Sequence, residues 1–463
     1  MAVPVRVRRH WRTAAAVCAA LLALVVFFGD ARIRPYTTSD PVSEEAVTQD
    51  IEGEGDLFDG GGHTIEVSYD PSQYADMIDT FRTSGEKEYI KADVVIDGTA
   101  VEDVGLRLKG NSTLSSLRGG GQGGTVQQGR GPGGVSLSED EPEALPWLVS
   151  FDEYVEGRAY QGSTEIALRP ATSTSDTALN EALALGLTEA AGQTTQDLSF
   201  TALSVNGGDA EPRIVLDAPD APWADGLGDG VLYKARAEGS FDYLGDDPTD
   251  YEDAFKQINA EGAYDLQPVM DLLEFVDEAG DEEFASELDE HVDVESFASY
   301  LALQDLMSNG DAMDGPGNNY YLWYDAGEDR FTVLSWDLNM AFGGMGMMGG
   351  GPGGRGGAEG MQPPEEGMQA PEGREPPGGG DGGGGPGMGG SGALKERFLE
   401  NDEFAQLYEE AYADLYESLV QSGTAADLLD SEVAQAQAVG DEEAASAQEA
   451  LAEQIASIPE ESA

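Results

Sequence analysis

The chain has 463 residues and a formal net charge of -65, because 89 Asp and Glu residues stand against 24 Lys and Arg residues. So acidic a surface repels nucleic acid and anionic lipid, and we therefore expect neither as a partner. The length allows one large domain or two ordinary ones with a buried core, and the charge favours a protein that stays soluble in high salt or among divalent cations.

The first 30 residues have the pattern of an export signal. Several arginines precede an apolar run over residues 13–28, with no clear Ala-x-Ala cleavage site after it. The run is shorter than a typical spanning helix, so a cleaved signal and a retained signal anchor both stay open. Either one predicts that the rest of the chain is extracellular or at the cell surface, with membrane anchoring through this segment as one outcome. Residues 31–62 are polar and acidic and predict a disordered spacer.

Residues 63–235 are rich in predicted strands. Alternating apolar residues and Gly-containing turns predict two hairpins, with turns at Asp97-Gly98-Thr99 and Asn206-Gly207-Gly208. A helix is expected over residues 177–191, with Glu181 in its first turn and Ser175 or Asp176 as its N-cap. The other strands are expected at 64–69, 146–151, 163–168 and 230–234, a short helix at 71–82, and a Gly-rich loop at 118–142.

Two lysines in this half follow strands and could meet phosphate. Lys109 begins the small-residue turn Lys109-Gly110-Asn111-Ser112-Thr113, whose backbone N–H groups could hold phosphate oxygens. A plain turn is the alternative. Lys234 lies at the end of an apolar strand, where a lysine is unusual.

The C-terminal half contains the stretch most indicative of chemistry, residues 308–344. It places Asp311 before, and Asp337 after, a predicted hairpin of residues 320–324 and 330–336. These carboxylates, with the amides of Asn318 or Asn319 and of Asn339, could converge on a hard cation such as Mg²⁺ or Mn²⁺. In the alternative interpretation, Asp311 and Asp314 initiate a turn and Asp337 caps the next segment.

The remaining C-terminal sequence predicts helices and one low-complexity insertion. Helical spacing is present at 250–259, 265–278, 281–288 and 294–308. Residues 345–392 are rich in Gly, Pro and Met and predict disorder. One amphipathic helix is expected at 393–422, followed by a peripheral acidic Ala/Glu-rich tail at 423–463.

The order of these motifs resembles the CotH kinase family of secreted atypical protein kinases. Asn309-x-Asp311, a Gly-rich turn, Asn318-Asn319-Tyr-Tyr-Leu and then Trp336-Asp337-Leu-Asn-x-Ala-Phe-Gly carry the resemblance. It implies an α+β, two-lobed kinase-like fold with a β-rich N-lobe at 63–235 and a mainly helical C-lobe from 236.

The resemblance also implies roles for individual residues. Asp311 would be catalytic, and Asn319 (or Asn318) and Asp337 would hold Mg²⁺ or Mn²⁺. The residues implied to face ATP are Lys109, Asn111, Ser112, Glu181 and Lys234. Glu181 would pair with a lysine of the N-lobe, and the acceptor would be a Ser or Thr of a surface or coat protein.

Two departures from the family pattern keep a second hypothesis open. The lysines that relatives carry before the strand at 146–151 are missing, and the segment 212–217 diverges from the usual apolar strand and Glu. These departures favour a non-catalytic pseudokinase or structural surface protein of the same fold. The active kinase remains the first hypothesis because both aspartates are present.

Overall fold

The computed structural model describes residues 47–110, 113–118, 137–170, 177–237, 239–313, 315, 318–342 and 392–461. The export segment, most of the 345–392 insertion, the proposed N-cap residues Ser175 and Asp176, and the candidate residues Asn111 and Ser112 lie outside this set.

The described chain is a mixed α+β structure, as expected. Its strands are β1 (Gln49–Ile51), β2 (Gly62–Tyr69), β3 (Ile90–Ile96), β4 (Thr99–Leu108), β5 (Trp147–Ser150), β6 (Arg158–Tyr160), β7 (Glu165–Arg169), β8 (Leu198–Val205), β9 (Glu211–Asp217), β10 (Gly230–Ala235), β11 (Phe255–Gln257), β12 (Tyr320–Asp325) and β13 (Arg330–Ser335). Its α-helices are α1 (Pro71–Ser84), α2 (Leu179–Ala190), α3 (Ala221–Asp225), α4 (Gln267–Glu278), α5 (Asp281–Glu287), α6 (Val294–Leu306), α7 (Gly392–Glu400), α8 (Asp402–Leu415), α9 (Thr424–Ala438) and α10 (Ala444–Ser457).

Seven strands close into a barrel in the order β2-β3-β4-β5-β7-β9-β8. Alternate residues fill its interior, for example Ile65 on β2 and Ile166 and Leu168 on β7. The residue between the last two, Ala167, faces outward and joins the core formed with the helices. The outer face of β4, β5 and β7 is therefore available for polar groups as well as for packing.

The barrel closes through a parallel pair, β2 with β8, in register from Gly62 opposite Phe200 to Val67 opposite Val205. The sequence predicted a β-rich region here, and these strands confirm it. Closure itself was not predicted, because the pairing of strands distant in sequence leaves no local pattern. The hairpin turns were predicted correctly: Asp97 and Gly98 have φ of 48 and 87, the left-handed values that a two-residue turn requires.

A second, antiparallel sheet has the order β11-β10-β12-β13. Lys234 pairs with Tyr321, which pairs with Leu334 on the next strand, so these three side chains share one face. The same face carries a small buried cluster that includes Trp336. The opposite face packs into the helical core. The sheet therefore lies between that core and the face that carries Lys234 and Trp336.

Several predicted boundaries were wrong. Residues 47–62 are not all spacer, because β1 pairs in parallel with β6 and Leu57 is buried. The helix expected at 250–259 is instead a short 3-10 turn and strand β11, which hydrogen bonds to β10. The single helix expected at 393–422 is divided at Asn401, whose side chain accepts hydrogen bonds from the first backbone N–H groups of α8.

The C-terminal residues are also part of the fold rather than a peripheral tail. Helix α9 buries Leu429, Val433 and Ala436, and it packs on α2 and β8. The helix that the Ala-rich sequence predicted to be peripheral therefore buries one face against its neighbours. None of the helices in the described part of the chain is long and apolar enough to span a bilayer.

Candidate active site

The candidate residues meet between the outer face of the barrel, the start of α2 and one end of the second sheet. Lys109 directly follows β4, and Arg169 ends β7. Each alternates with interior barrel residues, so its side chain points away from the barrel core. Lys234 and Asp337 approach from the second sheet, so four elements distant in sequence contribute to one site.

Asp337 is held in a constrained backbone conformation two residues after the end of β13. Its φ and ψ are 55 and 56, in the left-handed region that non-glycine residues adopt only at a cost of order 1 kcal/mol or more. The following turn is tied to α2 because Asn180 Nδ2 donates to the carbonyl oxygen of Asn339 at 2.6 Å. The Asp337 side chain is 30% exposed and is therefore open to a ligand.

Arg169 binds two carboxylates at once. Its Nη1 lies 3.0 Å from Glu181 Oε1, and its Nη2 donates to Asp337 Oδ1. The planar guanidinium presents several donors in a fixed fork, which suits it to bridge two acids. Arg169 thus connects β7, α2 and the turn after β13.

The electrostatics of this bridge follow from burial. Glu181 is 1% exposed, so it is not the exposed first-turn acid that a surface helix would carry. Burial raises the pKa of Glu181 to about 7, against the opposing effect of the Arg169 charge. For Arg169, burial lowers the pKa, but Asp337 and Glu181 outweigh it and the pKa is raised, so the guanidinium stays charged.

The expected lysine partner of Glu181 is therefore corrected to Arg169. An arginine reaches both acids from the end of β7, whereas a lysine offers a single point charge. The sequence missed Arg169 because the strand was expected to end at Leu168. The available signal was the alternation Glu165, Ala167, Arg169, which places a charged residue on the outer face at the end of the strand.

Lys109 and Lys234 lie close together against the same aromatic ring. Their Nζ atoms are 5.2 Å and 4.2 Å from the centroid of the Trp336 ring, and Lys234 is also 5.5 Å from that of Tyr321. Burial and then the charge of Lys234 lower the pKa of Lys109 to about 7. Burial lowers the pKa of Lys234 to about 8, although Asp337 opposes this. The sequence did not indicate Trp336 as a site residue.

Asp311 is fixed at the C-terminal end of α6 by a chain of polar contacts. Asn309 is buried and donates through Nδ2 to Gln304 Oε1 at 2.8 Å, and its own Oδ1 accepts from the Asp311 backbone N at 3.3 Å. Asn319 Nδ2 donates to Asp311 Oδ2 at 2.9 Å. Asn318 instead donates to the carbonyl of Gly239 at 2.6 Å, so Asn319 is the asparagine that contacts Asp311.

Asn319, which donates to Asp311, and Asp337 lie at the same end of the β12–β13 hairpin. Tyr320 is opposite Ser335, with Asn319 directly before the first and Asp337 two residues after the second. This strand register places Asn319 and Asp337, which belong to the two parts of the sequence motif, at the same end of the sheet, as the sequence predicted.

The oxygen donors of the site suit a hard divalent cation that takes its other ligands from phosphate oxygens and water. Within the described residues, no group of three or more His, Cys, Asp or Glu side chains could hold a metal by itself. Mg²⁺ commonly uses one or two carboxylates together with phosphate oxygens and water. The partly exposed carboxylate of Asp337 and the amide oxygen of Asn319 are ligands of this kind.

The comparison with known proteins agrees with this geometry. A family model described as CotH kinase protein matches residues 129–446. No curated protein matches the chain. The matched range contains Arg169, Glu181, Lys234, Asp311 and Asp337, while Lys109 precedes it. The family indicates kinase activity in general, and with it ATP, a divalent metal and a protein substrate. Since the match spans more than half of the 463 residues, the chain belongs to the CotH kinase family.

Proposed function

We propose that this protein is an extracellular protein kinase that transfers the γ-phosphoryl group of ATP to a Ser or Thr hydroxyl of a surface or coat protein. The observation that carries the proposal is the convergence of Lys109 and Lys234 with the two acids that Arg169 bridges. Asp311 is held by Asn319, directly before β12, at the end of the hairpin where Asp337 also lies. In this proposal the nucleotide lies between a barrel lobe and the lobe that contains the second sheet. The N-terminal arginines and apolar run support the export that the proposal includes.

Each side chain has a distinct task in the proposed reaction. Lys109 and Lys234 hold phosphate oxygens, and both ammonium groups are positioned against the Trp336 ring. Asp337 and Asn319 offer oxygen ligands to a divalent cation, which when bound neutralises phosphate charge. Asp311, oriented by Asn319, accepts the proton of the acceptor hydroxyl. The hydroxyl oxygen then bonds to the γ-phosphorus as the bond between that phosphorus and the β–γ bridging oxygen breaks.

Two aspartate variants test these tasks separately. Asp337→Asn should weaken binding of the metal–nucleotide complex and phosphoryl transfer together, because it removes the charge that holds the metal. Asp311→Asn should leave nucleotide binding intact and reduce turnover by about 10²–10⁴-fold, the usual scale of general acid–base catalysis. Calorimetry with ATP and Mg²⁺ or Mn²⁺ measures binding, and transfer of radiolabel to Ser-rich acceptors measures turnover.

Asp289→Asn is the matched control, since Asp289 is exposed and lies outside the site. It should change neither quantity. If the wild-type chain binds nucleotide but transfers no phosphate with either metal, the non-catalytic pseudokinase replaces the active kinase. If it binds no nucleotide, both versions of the proposal fail.

A further inference from the structure

Arg169 has a position that the proposed function does not explain. One end of its guanidinium contacts Glu181, and the other contacts the Asp337 carboxylate that the proposal assigns to the metal. We infer that Arg169 and the divalent cation compete for Asp337, so that Arg169 sets the metal affinity of the site. This inference rests on the proposed role of Asp337.

The charged guanidinium group of Arg169 cannot move away from the site. Its side chain is 12% exposed, and it forms an ion pair with the carboxylate of Glu181, which is almost wholly buried. Releasing that contact would leave a buried charge without compensation, which is strongly destabilising. The Asp337 end is the more exposed one, at 30%. A cation that binds Asp337 must therefore displace or share the Arg169 contact while Arg169 stays beside Glu181.

The Asp337 turn has supports that do not involve Arg169. Its left-handed backbone is continuous with β13, and Asn180 holds the next residues through the Asn339 carbonyl. Removing the Arg169 charge should therefore free the carboxylate rather than misplace it. Competition and simple positioning by Arg169 thus predict opposite changes in metal affinity.

Two variants with opposite expected effects distinguish these possibilities. Glu181→Gln removes one of the two acids that share Arg169, so the guanidinium interacts more strongly with Asp337 and Mn²⁺ should bind several-fold more weakly. The double variant Arg169→Gln with Glu181→Gln removes the competing charge without leaving a lone buried carboxylate, and Mn²⁺ should bind roughly tenfold more tightly.

The measurement is binding of Mn²⁺ alone to the full chain, followed by the electron paramagnetic resonance signal of free Mn²⁺ at pH 8. About 0.5 M KCl limits binding to the acidic surface, and the same titration of Asp337→Asn is subtracted as background. Thermal unfolding of each variant checks that it is folded. The measured Mn²⁺ affinity does not depend on kinase activity.

The outcomes separate the inference from the proposed function. Opposite shifts for the single and double variants support competition, whereas equal affinities or shifts in the same direction overturn it. If Asp337→Asn binds Mn²⁺ as the wild type does, the metal role of Asp337 fails and the inference fails with it. If the double variant does not fold, Arg169→Lys replaces it: a single ammonium that stays with Glu181 should also release Asp337, and weaker or unchanged Mn²⁺ binding would overturn the inference.

Discussion

Lys109 and Lys234 have lowered pKa values, about 7 and about 8, because loss of solvent around each partly buried side chain and the charge of nearby cations disfavour the protonated form. Both therefore lose charge near neutral pH in the ligand-free protein. Bound triphosphate would bring negative charge beside them and favour their protonated forms. In the proposed kinase, nucleotide binding would therefore be linked to proton uptake.

We predict that affinity for ATP falls as the pH is raised from about 6 to about 9, since protonated lysine is the form that binds phosphate. Titrations across this range measure the dissociation constant, and calorimetry at pH 8 in two buffers of different ionisation enthalpy counts the protons taken up. Lys234→Met should lower both the affinity and the proton uptake. Lys91→Met is the control, because Lys91 is about half exposed and pairs with Asp103 away from the site. An affinity that does not change with pH would contradict this role for the lysines.

The sequence predicted the positions of candidate site residues where those positions depend on near neighbours in the chain, and the roles of these residues stay predictions. Asp311 with Asn319, and Asp337 after its strand, come from continuous motifs, and the structure places both at one end of the hairpin. Arg169 and Trp336 were missed because their roles arise from contacts between elements that are distant in sequence. A strand pattern shows which face a side chain occupies, but it does not show what that face meets.

At the scale of elements, helix α9 carries a buried acid, Glu432, where it packs on α2. Glu432 is 7% exposed, and its Oε2 has no hydrogen-bond partner among the described atoms. Gly186 of α2 lies beside this carboxyl group, since a Cβ atom added there would be 4.0 Å from Glu432 Oε1, an ordinary contact distance. Burial raises the pKa of Glu432 from the ordinary 4.5 to about 7.

This shift predicts a defined pH dependence of stability. Between pH 4.5 and 7 the folded chain retains a proton that the unfolded chain releases, so the contribution of Glu432 to the free energy of unfolding falls as the pH rises. Glu432→Gln should remove this loss and be more stable than the wild type at pH 8, by up to about 3 kcal/mol, with little difference near pH 5. Urea unfolding at both pH values measures it.

Glu442→Gln is the matched control, because Glu442 is an exposed acid near the start of α10. It should leave the pH dependence unchanged. A Glu432→Gln variant that is less stable than the wild type at pH 8 would show that the carboxylate is charged and usefully paired in the folded protein.

Element boundaries were predictable where hydrophobic period and turn chemistry agreed. The hairpin β3–β4 and helix α6 are examples. The segment 250–259 had helical spacing but forms β11, because pairing with β10 satisfies its backbone and buries Phe255. Tertiary pairing therefore overrode the local pattern. The same holds for α9, whose short apolar residues gave no sign that it packs on α2.

At the scale of the whole molecule, the net charge of -65 dominates behaviour in solution. Mutual repulsion among the acids opposes the compact state, and added salt screens it. We predict that the melting temperature rises between low salt and about 1 M NaCl, where the screening length is roughly 3 Å. Calorimetric scans in NaCl, and in sucrose as an uncharged control, measure the effect. A flat or falling melting temperature in NaCl would show that repulsion does not limit stability.

The parallel pairing of β2 with β8 has a consequence for how the protein is made. Thr201 contacts the backbone of His63 across 138 residues of sequence, so this seam forms only after most of the barrel sequence has been synthesised. Until then β2 presents an unpaired edge that can recruit other chains. A nascent or exported chain that stops before Leu198 should therefore aggregate or require a chaperone, whereas the finished barrel leaves that edge covered.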